Sequence, residues 1–354
     1  MTSDKGILIK NIYYMLSYAF QALRQSQYEE LASEDFENIH DLFAAVLGKG
    51  VARQLKQGLY REYVTKEEVL NVKRGRLNMN GTIRNKMHRK QLLDCTYDEL
   101  SENNLHNRIL KTTMMFLLRQ PNVKPKHKAL LKKSLLFFAE IDYIEPYLIR
   151  WDQVRFHRNN SEYRMLVNVC NLVLEGLLLS TEKGTVKMAS FLDEQKMHRL
   201  YERFILEYYR YHHPELKANP DQIAWNLDDD ESDLLPTMQT DITLHYKDRT
   251  LIIDAKYYGR VLQAQFDKYS IHSGNLYQIY TYVKNLDKDD TGKVSGMLLY
   301  AKTEKQMHPN NQYSIGGNRI KVQTLDLNLP FSLIAKQLED IVSEYWLQNV
   351  QQSA

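Results

Sequence analysis

A chain of 354 residues with 43% apolar residues is long enough to bury a real core and to make two domains. Its 47 Lys and Arg nearly balance 44 Asp and Glu, and a net charge of +3 by itself says little about partners. Two isolated cysteines, Cys95 and Cys170, exclude a disulfide framework and a Cys-based zinc site and fit a reducing compartment.

The opening Met1-Thr2-Ser3-Asp4-Lys5-Gly6 lacks a basic region followed by a long apolar core, and no stretch approaches about 18 apolar residues. A soluble cytoplasmic protein with no membrane partner is expected. Ile12, Met15, Leu16, Ala19, Phe20 and Leu23 recur at helical spacing and predict a helix over 7–23; a second is predicted over 39–58. From Leu59 to Arg84 the pattern changes. Tyr60, Tyr63, Val64, Val69, Val72 and Leu77 alternate with polar residues and are punctuated by Gly75 and Gly81, which predicts short strands of a small sheet or barrel. Gly48-Lys49-Gly50 and Gly316-Gly317 read as turns or helix ends. A helix over 104–118, a break at Pro121 and Pro125, and a helix through Phe138 follow. Periodicity is lost between Ile144 and Asn160, so a domain boundary is placed near residue 155.

Beyond it, helices are predicted at 163–179 and 198–213, a hairpin around residues 240–257, a helix at 274–285, strands at 294–301 and 319–325, and a closing helix at 330–347. The fold class is therefore α/β (α+β): an N-terminal domain of helices and a small sheet, 1–155, then a C-terminal domain, 156–354, with a mixed sheet flanked by helices. Charge is uneven along this plan. Lys73, Arg74, Arg76, Arg84, Lys86, Arg89 and Lys90 lie in a stretch without acids, and Lys124–Lys133 is a second basic run, whereas Asp228–Asp233 is acidic. The first basic run is either a phosphate-contacting surface or a solvated face.

The hairpin carries the chemistry. Leu251-Ile252-Ile253 is an apolar, β-branched run, and Asp254 and Lys256, two residues apart at its end, point to one face. A turn at Tyr246–Arg249 brings Asp241 opposite, or within about two residues of, that pair. Two carboxylates offer hard oxygen ligands suited to Mg²⁺, and an ammonium beside them can orient a water for phosphodiester hydrolysis. Gln278 and Tyr282, four apart on a helix, share one face and can reach the lysine or a DNA backbone. Glu202 or Glu207 is placed to add a further carboxylate, and Glu202 is taken as the third metal ligand beside Asp241 and Asp254. A lone Asp-x-Lys is more often a solvated strand end; the company of Asp241, Gln278 and Tyr282 turns the balance toward a site. The eleven histidines show no zinc-like pairing, and neither a Walker A sequence nor a Gly-x-Gly-x-x-Gly run is present.

Asp241…Asp254-Ala255-Lys256 with Gln278-x-x-x-Tyr282 resembles the PD-(D/E)xK nuclease superfamily in its Gln-x-x-x-Tyr branch, although Thr240 stands where the superfamily name has Pro. The closer resemblance is to McrC proteins of McrBC-like modification-dependent restriction systems. It is carried by Lys10–Ala19, Lys49-Gly50-Val51, Lys73-Arg74-Gly75-Arg76, Leu105–Thr113, Leu200–Phe204, Leu234–Ile242 and Asn275–Gln278. The resemblance implies a restriction-endonuclease-like C-terminal domain and an N-terminal domain that docks on a hexameric McrB-like AAA+ GTPase and stimulates it. It further implies cleavage of double-stranded DNA containing methylated cytosine, GTP turnover by the partner alone, and pairing of two nuclease domains. A regulatory subunit with a vestigial site, or a stand-alone repair nuclease, are the competing readings.

Overall fold

In a computed structural model that describes residues 3–4, 7–19, 36, 38–157, 163–182, 194–228, 234–257, 262–265, 268–302 and 309–346, the chain divides into two units. One comprises Met1–Leu42 with Thr185–Ala354, the other Phe43–Gly184. The boundary read from the sequence lies near residue 155; the contacts divide the chain at 42 and 184 instead.

Side-chain bonds to distant backbone explain the difference. Helix α1 (Ile9–Ala19) belongs with the C-terminal residues because Asn11 Nδ2 donates to Leu327 O at 2.8 Å and Leu329 O at 2.7 Å, and Arg203 Nε donates to Ala19 O at 2.7 Å. The Tyr14 ring stacks on Phe331 at 4.2 Å. Residues 20–23, expected to extend this helix, lie outside the described residues.

The unit of residues 43–184 contains most of α2 (Ile39–Gln57), then β1 (Glu62–Leu70), β2 (Arg76–Leu77), α3 (Met79–Met87), β3 (Leu93–Ser101), α4 (Leu105–Arg119), α5 (Pro125–Leu135) and α6 (Tyr163–Glu182). The expected small sheet exists, in the order β1-β3-β2 and wholly antiparallel. Its central strand lies beyond the expected stretch of residues 59–84. Residues 79–84, expected as strand, begin α3, and the partner strand is Leu93–Ser101, where buried Cys95 and Tyr97 alternate with more exposed residues. Gly81 is a close approach inside α3, since a Cβ there would meet Asp94 Oδ2 at 1.8 Å. Gly48 is likewise inside α2, facing Leu130, so Gly48-Lys49-Gly50 is neither a turn nor a helix end. The expected linker is tied down: Thr112 Oγ1 donates to Ile144 O at 2.9 Å, His106 Nε2 lies 3.0 Å from Arg155 O, and Tyr163 OH accepts from Tyr60 N at 2.8 Å.

In the other unit, α7 (Glu194–His212) leads to a short ribbon, β4 (Gln222–Ile223) with β5 (Met238–Gln239), and then to the hairpin β6 (Ile242–Tyr246) and β7 (Arg249–Lys256). Of the acidic run Asp228–Asp233, only Asp228 is among the described residues. A ribbon of β8 (Leu262–Gln265) and β9 (Lys268–Ile271) precedes α8 (Ser273–Leu286), followed by β10 (Val294–Ala301), β11 (Asn311–Ile315), β12 (Asn318–Leu325) and α9 (Phe331–Trp346). The main sheet runs β11-β12-β10-β7-β6, with β7, β10 and β12 parallel and both outer pairs antiparallel. It is a mixed α/β fold, as expected, and Gly316-Gly317 turns between β11 and β12. β10, with a parallel neighbour on each side, is buried almost throughout, and β7 is buried from Leu251 to Lys256.

The two faces hold different helices. Ile252, Leu298, Tyr300, Ile320 and Val322 pack under Ile279, Tyr282 and Val283 of α8, joined by Ile223 and Met238 from the β4–β5 ribbon. Alternation sends Leu251, Ile253 and Ala255 to the other face. There Tyr201 of α7 reaches Leu299 O at 3.4 Å, with its ring 6.4 Å from that of Tyr257. Gly296 of β10 lies beneath α8: a Cβ would stand 2.8 Å from Ile279 Cγ1, 2.9 Å from Ile320 Cδ1 and 2.9 Å from Val283 Cγ2. Gly296→Ala is therefore expected to destabilise this unit by about 1–3 kcal/mol through overpacking, measured as an earlier denaturant midpoint.

Candidate active site

β6 and β7 meet through a two-residue turn, Lys247-Asp248, and their register pairs Ile242 with Ile253. One step further out, Asp241 stands opposite Asp254. Its Oδ2 accepts from Ala255 N at 2.9 Å, which fixes the carboxylate against the end of β7. Asp254 and Lys256 occupy the face that α8 covers, in register with Leu298 and Tyr300 of β10. Lys256 Nζ lies 2.9 Å from Asp254 Oδ2 and donates to Gln278 Oε1 at 3.3 Å. Gln278 Nε2 donates in turn to Tyr282 OH at 2.9 Å. The structure thus brings Asp241, Asp254, Lys256, Gln278 and Tyr282 into one chain of contacts.

Burial makes the electrostatics severe. Asp254 is 0% exposed and Lys256 7%. Apart from the ion pair with the lysine, neither Asp254 oxygen receives a well-aligned hydrogen bond. Removal from water, and then the charge of Asp241, push the Asp254 carboxyl up to about 7, against the opposing pull of Lys256. Glu202 on α7 feels the same field. Burial raises its carboxyl to about 7, with Asp241 and Asp254 adding and Lys256 subtracting, and His198 Nε2 holds it at 3.1 Å. Glu207, five residues along α7, lies about 140° around the helix. It pairs with Arg210 at 3.0 Å.

Among the described residues, no three His, Cys, Asp or Glu side chains form a ready metal-binding group. The donor set nevertheless fits a hard divalent cation. A wholly buried carboxylate with unsatisfied oxygens faces a second carboxylate, and a cation that keeps several waters needs only one or two protein carboxylates. Sequence reasoning does not find one neighbouring contact, the 2.9 Å hydrogen bond from Asn275 Nδ2 to Tyr300 OH. Its only signal is that Asn275 precedes Gln278 by three residues, one helical turn.

The sequence profile of the McrBC 5-methylcytosine restriction system components matches residues 3–301. This chain belongs to that family. All the motifs that carry the resemblance, from Lys10 to Tyr282, lie inside the matched residues. The chain is similar to a type IV methyl-directed restriction enzyme, EcoKMcrBC, of Escherichia coli (strain K12), with 27% identity over 343 residues covering 96% of this chain and 98% of that protein. Two solved structures are also similar. A half-complex from a tetradecameric assembly of Thermococcus gammatolerans McrB AAA+ hexamers with bound McrC shares 20% identity over 94% of this chain and 76% of its own, with a TM-score of 0.49. The Thermococcus gammatolerans McrBC complex determined by cryo-EM shares 25% identity over 56% of each chain, with a TM-score of 0.40. No helix among the described residues of this McrBC component is long and apolar enough to cross a membrane.

A carboxyl whose pKa is raised on folding binds a proton in the folded state that the unfolded state has already lost. Between its ordinary value of 3.8 and about 7, the Asp254 carboxyl therefore makes the metal-free protein less stable as pH rises. Denaturant midpoints between pH 5 and pH 8 should fall with pH, and Asp254→Asn should flatten that slope. A variant whose slope equals the parent's would contradict this electrostatic description.

Proposed function

We propose that this chain is the Mg²⁺-dependent DNA endonuclease subunit of a McrBC-type complex, cutting double-stranded DNA that contains methylated cytosine while stimulating a McrB-like AAA+ GTPase. The observation that carries the reading is the Asp254 carboxylate, buried opposite Asp241 with Lys256 as its ion-pair partner. Family membership and the similarity to a methyl-directed restriction enzyme support the biological setting.

Asp241 and Asp254, with Glu202 at hand, would hold the Mg²⁺, which supplies neutralisation of phosphoryl charge and acidification of a bound water. Lys256 is held from two sides, by Asp254 and by the Gln278 amide. Its ammonium is thereby directed to orient the attacking water and to stabilise charge developing on it. Tyr282 fixes the Gln278 amide, so that its oxygen rather than its nitrogen faces the lysine. GTP belongs to the partner. The region from Tyr60 to Lys90 serves the partner or the DNA, and two nuclease units come together to break both strands.

The test is cleavage of cytosine-methylated plasmid DNA with a McrB partner, GTP and Mg²⁺. Asp254→Ala and Lys256→Ala should each lower cleavage by roughly two orders of magnitude or more, while GTPase stimulation remains. Full cleavage by either variant removes the site assignment. Stimulation by the parent chain without cleavage under any divalent ion would make it a regulatory subunit with a vestigial site. Cleavage that needs neither partner nor GTP would make it a stand-alone nuclease.

A further inference from the structure

Tyr300 is wholly buried on β10, in register with Lys256 on the neighbouring parallel strand, so the two side chains stand beside each other on the face under α8. Asn275, in the first turn of α8 and also buried, donates to the Tyr300 hydroxyl at 2.9 Å. One turn further along the helix, Gln278 contacts Lys256. A second turn brings Ile279, Tyr282 and Val283 into the apolar core. The helix thus meets the strand ends through two polar contacts near its start and through apolar packing beyond them.

The polar pair is not required by the packing around it. A buried amide and a buried phenol each lose water, and a well-aligned hydrogen bond returns little more than that cost, whereas apolar residues of similar shape would seat the helix as well. What the pair does supply is a directional bond between the first turn of the helix and β10. The carbonyl of His272, the residue that caps α8, accepts from Asn275 N at 3.0 Å and Leu276 N at 3.2 Å, and the Asn275 side chain adds a tie from this turn to the sheet.

We propose that Asn275 and Tyr300 form a positioning pair: their hydrogen bond fixes the first turn of α8 over β10 and so sets Gln278 Oε1 against the Lys256 ammonium. The inference rests on the nuclease reading of the Lys256 site. Neither residue touches the reacting phosphate; both act through Gln278. Because Asn275 and Tyr300 act as one unit, the effects of losing either are not additive.

The test uses the full-length chain with a McrB partner, GTP, Mg²⁺ and cytosine-methylated plasmid DNA, comparing Tyr300→Phe, Asn275→Ala and the double variant. Tyr300→Phe keeps the ring and removes only the hydroxyl. It should lower kcat roughly tenfold with KM for DNA unchanged, since small misplacements of catalytic groups cost about that much or more. Asn275→Ala should do the same, and the double variant no worse than either. Amide exchange should rise in residues 274–278 of Tyr300→Phe and remain unchanged in residues 279–285, and Mg²⁺ affinity by calorimetry should match the parent's. Parental kcat in Tyr300→Phe, additive losses in the double variant, or faster exchange along the whole of α8 would each overturn the proposal. Lys256→Ala serves as the control that separates the two ideas. If it cuts at full rate, the nuclease reading itself fails; if it is inactive while Tyr300→Phe is fully active, only the positioning pair is wrong.

Discussion

A carboxylate enclosed within a sheet has to be answered by a cation, and Asp254 sets that requirement for the unit that holds the main sheet. Lys256 can answer it because alternation along β7 returns the side chain to the same face after two residues. The lysine then stands at the end of its own strand, where its remaining hydrogen-bonding capacity must be met from across the sheet, and α8 meets it with Gln278. Asp241 works in the opposite sense. By adding a second negative charge to a dry site it leaves the ensemble short of positive charge, a deficit that a divalent ion is suited to fill. The order of elements follows from these demands: a hairpin to pair the acids, and then a helix crossing over to the parallel neighbour β10.

The hairpin is legible in the sequence because its determinants are local. The apolar run Leu251–Ile253 defines a strand, and a short polar turn leaves room for only a narrow range of registers, so Asp241 falls opposite Asp254. Gln278 and Tyr282 are legible because four-residue spacing puts them on one helix face, and the structure joins them by a hydrogen bond. Glu202 and Glu207 cannot be told apart in that way, since the choice depends on which side of α7 meets the sheet. Glu202 is the one that shares the field of the acids.

The features that escape a reading of the sequence are those made by long-range bonds. Asn11 is one polar residue in an amphipathic helix, and nothing near it foretells two backbone carbonyls more than three hundred residues away. His106 and Thr112 similarly hold the segment from Ile144 to Arg155 that looks like a linker for want of periodicity. The α3 segment fails for another reason. Gly81 suggests a break, yet it marks the place where the helix comes within contact of Asp94, and a close approach looks in sequence like a turn.

Gly296 shows what that kind of contact means for the chemistry above it. It contributes no functional group, but the missing methyl lets α8, the helix that carries Gln278, lie close over β10. Ile279, Val283 and Ile320 close around the same gap, so the four positions share one volume. A larger residue at 296 is compatible with the site only when 279, 283 or 320 shrinks to match. The identities at these four positions are thus exchangeable only within one summed volume.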